Sequence, residues 1–192
     1  MNDFNDLIFE NKNALDKELC REIIRRFERD DRKSPGVTTL GEVNLDLKKS
    51  TDLNISVLDE WKDIDKIFFE SMSTNFRYYV DNIFFDDVRL MNTQEAKDNG
   101  YNVKRYEPGD YFNWHVDCQA SEGWVRSIAY IWYLNDIEDG ETEFKSGRKI
   151  RPETGKLLMF PACWTYPHRG ISPKNGNKYI VTSFISTNEQ TY

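Results

Sequence analysis

The hydrophobic period of this chain changes near residue 100, and that change limits what it can fold into. Before it, apolar residues recur at helical spacing. In ALDKELCREIIRRFERD, Leu15, Leu19, Ile23 and Phe27 lie four apart, Asp16 is placed to cap the helix, and Leu15 and Cys20 are placed as a hydrophobic staple. From about Leu58 to Asn82 a second stripe runs through Ile64, Phe68, Met72, Phe76 and Tyr79 and on to Ile83. Between the two, KSPGVTTLGEVN reads as a loop. After residue 100 the segments NVKRYE, YFNWHV, VRSIAYIWYLN, ETEF, LLMF and YIVTSFIS are rich in β-branched and aromatic residues, with DGE and ETG as turn signals. VRSIAYIWYLN is long and apolar enough for a strand covered on both faces.

Helices first and many strands after them predict an α+β fold, with the helices packed on a strand-rich barrel or jelly roll. The expected organisation is one domain over residues 1–192, with a helical part to about 95 and a strand core from about 100 to 187. A length of 192 residues with 39% hydrophobic content is enough for a sizeable core. No apolar run nears the roughly 20 residues that span a bilayer, and MNDFNDLIFENKN lacks the apolar centre of a signal peptide, so a cytoplasmic location is expected and no membrane partner. The net charge of −7 gives no general attraction to phosphate backbones and argues against nucleic acid as a partner. The basic run KSGRKIR reads as a solvated hairpin face. Cys20, Cys118 and Cys163 are odd in number and far apart, matching neither a disulfide framework nor a zinc pattern; they are expected as buried small hydrophobes in a reducing compartment.

The chain has two histidines, and their settings suggest chemistry. His115 stands one residue from Asp117 in YEPGDYFNWHVD, and a strand through this stretch would set both side chains on one face. With His168 from the distant WTYPHRG, they would make the two-histidine, one-carboxylate set that holds non-haem Fe(II) on one face and leaves three positions open. Taken singly, each histidine is more often a satisfied core or surface residue than a ligand, and HxD arises easily by chance. Ten positions after His168, Lys178 opens a strand on which Lys178, Ile180 and Thr182 share a face. A lysine pointing into a barrel calls for an anion, and the Thr182 hydroxyl would complete a carboxylate site. The alternative is a lysine that snorkels outward from the Asn175-Gly176-Asn177 turn.

Together these residues resemble the 2-oxoglutarate- and Fe(II)-dependent dioxygenases, specifically the prolyl 4-hydroxylase-like branch. The resemblance covers roughly residues 100 to 186. Besides HxD, the distal histidine and the lysine ten residues on, it includes Arg126 through the YLN at 133–135, the DGETEF stretch, and IRPETGKLLMF ahead of His168. It implies a double-stranded β-helix (jelly-roll) core with the N-terminal helices on its major sheet. It implies that His115, Asp117 and His168 bind Fe(II), and that Lys178 pairs with the far carboxylate of 2-oxoglutarate. Tyr106 and Tyr133 match positions of phenols near the cosubstrate, and Thr182 matches a hydroxyl beside the basic anchor, although either tyrosine would also serve as a plain barrel aromatic. Arg126 would face the substrate mouth or support a carboxylate beside the metal. Trp114, Trp132, Trp164 and Tyr166 offer an aromatic groove around the metal, against the more usual place of any one of them in the core. O2 would be consumed and ascorbate would serve as reductant.

The implied reaction hydroxylates an unactivated C–H, with a prolyl residue of a peptide or protein as the family-weighted substrate and with release of succinate and CO2. A free amino acid or other small molecule is the competing substrate, and a non-catalytic jelly-roll binding module is the competing class. A nucleic-acid demethylase of the same superfamily would carry arginines six residues apart where this chain has Lys178 and Phe184. A cupin would normally need more than two histidines. The sequence leaves the oligomeric state open.

Overall fold

The computed structural model describes residues 7–38, 41–82 and 96–188. In chain order these form β1 (Phe9–Asn11), α1 (Lys17–Arg29), β2 (Ser34–Pro35), β3 (Lys48–Lys49), β4 (Thr51–Asn54), a 3-10 turn at Asp59–Trp61, and α2 (Lys62–Asn82). Then follow β5 (Ala96–Asp98), β6 (Asn102–Tyr106), β7 (Tyr111–His115), β8 (Ala120–Ser121), β9 (Trp124–Tyr133) and β10 (Thr142–Phe144). β11 (Lys149–Ile150), β12 (Leu157–Pro161), β13 (His168–Gly170) and β14 (Lys178–Asn188) complete the chain.

Two antiparallel sheets face one another. The major sheet runs β1-β12-β9-β14-β6-β4-β2, with β5 added on β14 and β8 on β9; the minor sheet runs β11-β10-β13-β7-β3. This is a double-stranded β-helix. Strand β9 shows why it has two cores. Its even residues Ile128, Tyr130 and Trp132 lie in a cluster with Ile23 and Phe27 of α1 and Ile64, Phe68 and Met72 of α2. Its odd residues Ala129, Ile131 and Tyr133 lie in a second cluster, with Tyr106, Phe144, Phe160 and Ile180 between the sheets. Period-two alternation on one long strand thus serves the helices on one side and the sandwich interior on the other.

α1 forms where its stripe and cap place it. The Asp16 carboxylate accepts from the Glu18 and Leu19 backbone N–H groups at 2.8 and 3.2 Å, satisfying donors that the first turn leaves free. Leu15 and Cys20 join the same cluster, as a staple would require. α2 starts later than its stripe suggests, because Leu58 offers no side-chain cap and Asp59–Trp61 tighten into a 3-10 turn. Ile64, Phe68, Met72 and Tyr79 are buried along it and Phe76 partly so, while Ile83 lies outside the described residues. The stretch before residue 100 is less helical than its periodicity implies. It gives β1, β2, β4 and β5 to the major sheet and β3 to the minor one.

One smaller expectation changes. Cys20 is buried, but Cys163 is only partly covered and Cys118 is exposed in the loop after β7. The basic 145–151 stretch is largely solvated, with Lys145, Lys149 and Arg151 exposed, while Arg148 pairs with Glu10. Among the described residues, no helix is long and apolar enough to cross a membrane.

Candidate metal and cosubstrate site

β7 and β13 are neighbours in the minor sheet, and their register sets His168 directly opposite His115. The ladder thereby brings the imidazoles to a ring separation of 4.2 Å. Asp117 arrives differently from the sequence argument. β7 ends at His115, so Asp117 stands in the following loop rather than on the same strand face. Its carboxylate nonetheless reaches both rings, with Oδ1 3.6 Å from His115 Nε2 and Oδ2 3.4 Å from His168 Nε2. Among the described residues these three are the group able to hold a metal ion, with their ligand atoms within 4.8 Å of one another.

The ring orientations suit a cation. The Nδ1 of His115 lies 2.7 Å from the Asn113 carbonyl oxygen, and that of His168 lies 3.2 Å from the Tyr166 carbonyl oxygen. A neutral imidazole donating from Nδ1 to a carbonyl leaves the Nε2 lone pair free, and both Nε2 atoms are turned to Asp117. Phe112 stacks on His115 at 3.4 Å, and Phe160 and Phe144 flank His168 at 4.8 and 5.7 Å. Burial lowers the His168 pKa to about 4, against the opposing pull of Asp117. For Asp117, burial pushes upward but is outweighed by His168, His115 and Arg126, which hold it at about 2. A neutral imidazole beside an ionised carboxylate is the protonation state that metal binding needs.

These residues line a cavity of about 330 Å³ between the sheets, within the range of small-ligand sites. Lys178, only 2% exposed, opens β14 at its inner end. Its Nζ donates to the carbonyls of Gly140 (2.8 Å) and Ile171 (3.2 Å) and lies 4.8 Å from the centre of the Tyr106 ring. Burial lowers its pKa to about 8, with Glu141 and Asp139 opposing. Among the described residues it makes no salt bridge, so a buried ammonium faces the cavity without a counter-ion and with one N–H beyond its two carbonyl bonds. Ile180 and Thr182 follow on the same cavity-lining face, as alternation requires. The Tyr133 hydroxyl lies at 2.7 Å from Thr142 Oγ1, and burial raises the Tyr106 phenol pKa well above the usual range.

Arg126 also lines the cavity; its guanidinium stacks 4.1 Å over the Phe184 ring, and burial lowers its pKa against the opposing pull of Asp117. Among the described residues no tryptophan lines the cavity, and Trp132 and Tyr166 take the core places expected of such aromatics. Trp114 does not line the cavity and instead sits beneath Lys145 and Arg169 at 4.1 and 4.8 Å, because it alternates with His115 on β7. Trp132 is buried against the helices, Trp164 is 78% exposed, and Tyr166 packs in the inter-sheet cluster. The cavity holds residues that sequence reasoning missed: Lys48, Asp52, Asn102, Lys104 and Thr142. Alternation on NVKRYE with Tyr106 facing inward would have flagged Lys104 and Asn102. Lys48 and Asp52, on very short strands, gave no such signal.

Residues 101–186 match the 2OG-Fe(II) oxygenase superfamily, and the matched stretch is an oxygenase domain of that class. The chain is similar in part of its sequence to a hydroxylase and in fold to prolyl hydroxylases. It is 26% identical over 91 residues to a PKHD-type hydroxylase of Synechococcus sp. (strain CC9902), a match covering 44% of this chain and 40% of that protein. In fold it is similar to the viral collagen prolyl hydroxylase of Paramecium bursaria Chlorella virus-1, with TM-score 0.66 and 18% identity over 94% of this chain and 96% of the other. A Trichoplax adhaerens prolyl hydroxylase, solved with a hypoxia inducible factor peptide fragment, gives TM-score 0.76 and 15% identity over 97% and 86%. A Pseudomonas putida prolyl-4-hydroxylase gives 0.65 and 16% over 94% and 95%. Fe(II) and 2-oxoglutarate are the metal and cosubstrate of the class. The His115–Asp117–His168 cluster and the uncompensated Lys178 suit them.

Proposed function

We propose that this protein is a 2-oxoglutarate- and Fe(II)-dependent hydroxylase of an unactivated C–H, with a prolyl residue of a peptide or protein as substrate. The observation that carries the reading is one cavity holding both a metal-competent His115–Asp117–His168 cluster and a buried ammonium without a counter-ion, Lys178. When bound, the iron and 2-oxoglutarate supply O2-driven decarboxylation to succinate and CO2, coupled to insertion of one oxygen into the substrate C–H. The chain's own residues do the rest. His115, Asp117 and His168 hold the metal, and the Asn113 and Tyr166 carbonyls fix the two rings. Lys178 takes the far carboxylate, and Thr182 offers a hydroxyl on the same strand face. Tyr106 and Tyr133 wall the chamber, and Ala129, Ile131 and Ile180 limit water. Ascorbate serves as the external reductant.

The relatives named above support the prolyl choice. The test is succinate release with Fe(II), 2-oxoglutarate and ascorbate, with proline-containing peptides compared against free amino acids, and product mass read for a gain of about 16 Da, the mass of one oxygen. Turnover of peptide with the added oxygen on proline is expected. Stimulation by free amino acids alone would move the substrate to small molecules. His168→Ala should keep the fold and lose both stoichiometric Fe(II) and turnover; full activity in that variant would end the metal assignment.

A further inference from the structure

A second cationic group lines the cavity away from the Lys178 anchor. On β6, Asn102, Lys104 and Tyr106 alternate onto the cavity face, and the ladder with β14 pairs Tyr106 with Lys178 and Lys104 with Ile180. Lys104 therefore stands two residues along from the anchor, about 7 Å at strand rise. Its Nζ donates to Asp52 Oδ2 at 2.8 Å, and the same oxygen accepts from Lys48 Nζ at 2.7 Å. Ser50 Oγ holds the other oxygen at 2.7 Å. Lys48 is 1% exposed and has a further acceptor in the Val37 carbonyl at 3.1 Å, whereas Asp52 is the one hydrogen-bond acceptor of the Lys104 ammonium among the described residues. The chain closes tightly here: a Cβ on Gly36 would fall 2.1 Å from Ser50 Oγ and 2.9 Å from Lys48 Nζ. One carboxylate is shared by two ammoniums, so one positive charge is left over.

The charge of the whole cavity agrees. Its described lining carries Lys48, Lys104, Arg126 and Lys178 against Asp52 and Asp117. The two charges of Fe(II) and the two of 2-oxoglutarate cancel each other, so the lining keeps a surplus of two positive charges inside a chain of net charge −7. A concave positive site in an acidic protein focuses anions, and its buried surplus is costly until one arrives.

We infer that Lys104, held in place by Asp52 and Lys48, is a substrate-selecting residue, and that the substrate carries a carboxylate close to the C–H that is oxidised. This rests on the hydroxylase reading above and narrows it. The carboxylate comes either from the C-terminus of a peptide that ends on the target residue or from an acidic side chain beside that residue, and two probe pairs separate these sources. N-acetylproline against N-acetylprolinamide tests the first; acetyl-Pro-Glu-amide against acetyl-Pro-Gln-amide tests the second.

The experiment titrates each probe onto zinc-loaded protein, which does not turn over, with and without 2-oxoglutarate, by calorimetry. In at least one pair the carboxylate member should bind tenfold or more tighter, the usual scale for a charge-assisted hydrogen bond (about ten- to a hundredfold). Lys104→Met should remove that preference and Lys104→Arg should restore part of it, with 2-oxoglutarate affinity unchanged in both. Circular dichroism checks that the variants fold, and the comparison within each pair stands on the unaltered protein alone. Equal affinities in both pairs, or no binding of any probe, would overturn the assignment. So would a preference that survives Lys104→Met, or a loss of 2-oxoglutarate affinity in that variant, which would give Lys104 to the cosubstrate. Failure of the unaltered protein to bind 2-oxoglutarate would sink the hydroxylase reading instead, while carboxylate preference is still scored without it.

Discussion

Lys178 pairs a poor setting for folding with a good one for binding. Its pKa is about 8 in the folded chain against an ordinary 10.5, so the folded state disfavours the ammonium. Between about pH 8 and 10.5 the unfolded chain holds a proton that the folded chain has released, and stability from this group rises with pH across that window. A dicarboxylate reverses the preference by supplying the missing counter-charge. 2-Oxoglutarate affinity should be level below about pH 8 and fall above it, at most tenfold per pH unit, with proton uptake on binding. Calorimetry at pH 7, 8 and 9 in buffers of different ionisation heat reads both quantities. Affinity that is flat across that range would mean no lysine ammonium pairs with the ligand. Lys178→Ala should cost about a hundredfold or more in affinity, since breaking a buried ion pair costs about 3–5 kcal/mol, and should leave metal binding intact. This residue was legible in the sequence because a fixed interval after His168 and strand alternation both point to it. Lys48 and Asp52 were not, since charged residues in DLKKSTD look like a solvated surface until the fold joins β3 to β7 and β4 to β6.

At the scale of elements, one turn locks the first helix to the sheet. Gly155, between β11 and β12, accepts at its carbonyl from the Ala14 and Leu15 N–H groups at 3.0 and 3.1 Å and donates to the Tyr133 carbonyl at 2.9 Å. Its φ is +84°, and a Cβ there would meet the Leu15 carbonyl oxygen at 2.4 Å. Gly155→Ala thus combines a left-handed residue, about 1–2 kcal/mol, with an overpacked contact, about 1–3 kcal/mol. A loss of roughly 2–5 kcal/mol in urea unfolding is expected, with Fe(II) binding retained in whatever remains folded. An unchanged midpoint would show that the turn relaxes freely. Long elements were the legible ones: α1 by its cap and stripe, β9 and β14 by composition. β1, β2 and β3 are two or three residues long and exist only through their partners, so no local pattern announces them. The same limit explains Asp117, whose place depends on where β7 stops.

For the whole molecule, the helices and the site sit on opposite faces of the major sheet and share strands β9 and β14. The sequence showed this division as two hydrophobic periods, and it showed the charge of the chain, but not that the cavity runs counter to that charge. Metal loading should be visible globally. An ion that binds only the folded state adds about 2.7 kcal/mol at a hundred times its Kd, so Zn(II) or anaerobic Fe(II) should raise the Tm by several degrees, and His168→Ala should abolish the rise. No shift in the unaltered protein would argue against a site preformed by folding. The facing of His115 and His168 across β7 and β13 gives that shift a mechanical meaning. An ion there is a rivet through two neighbouring strands that the chain itself joins only by a long detour. Chelation should then loosen a seam of the minor sheet as well as remove the ion, so limited proteolysis should cut the chelated protein faster than the metal-loaded one.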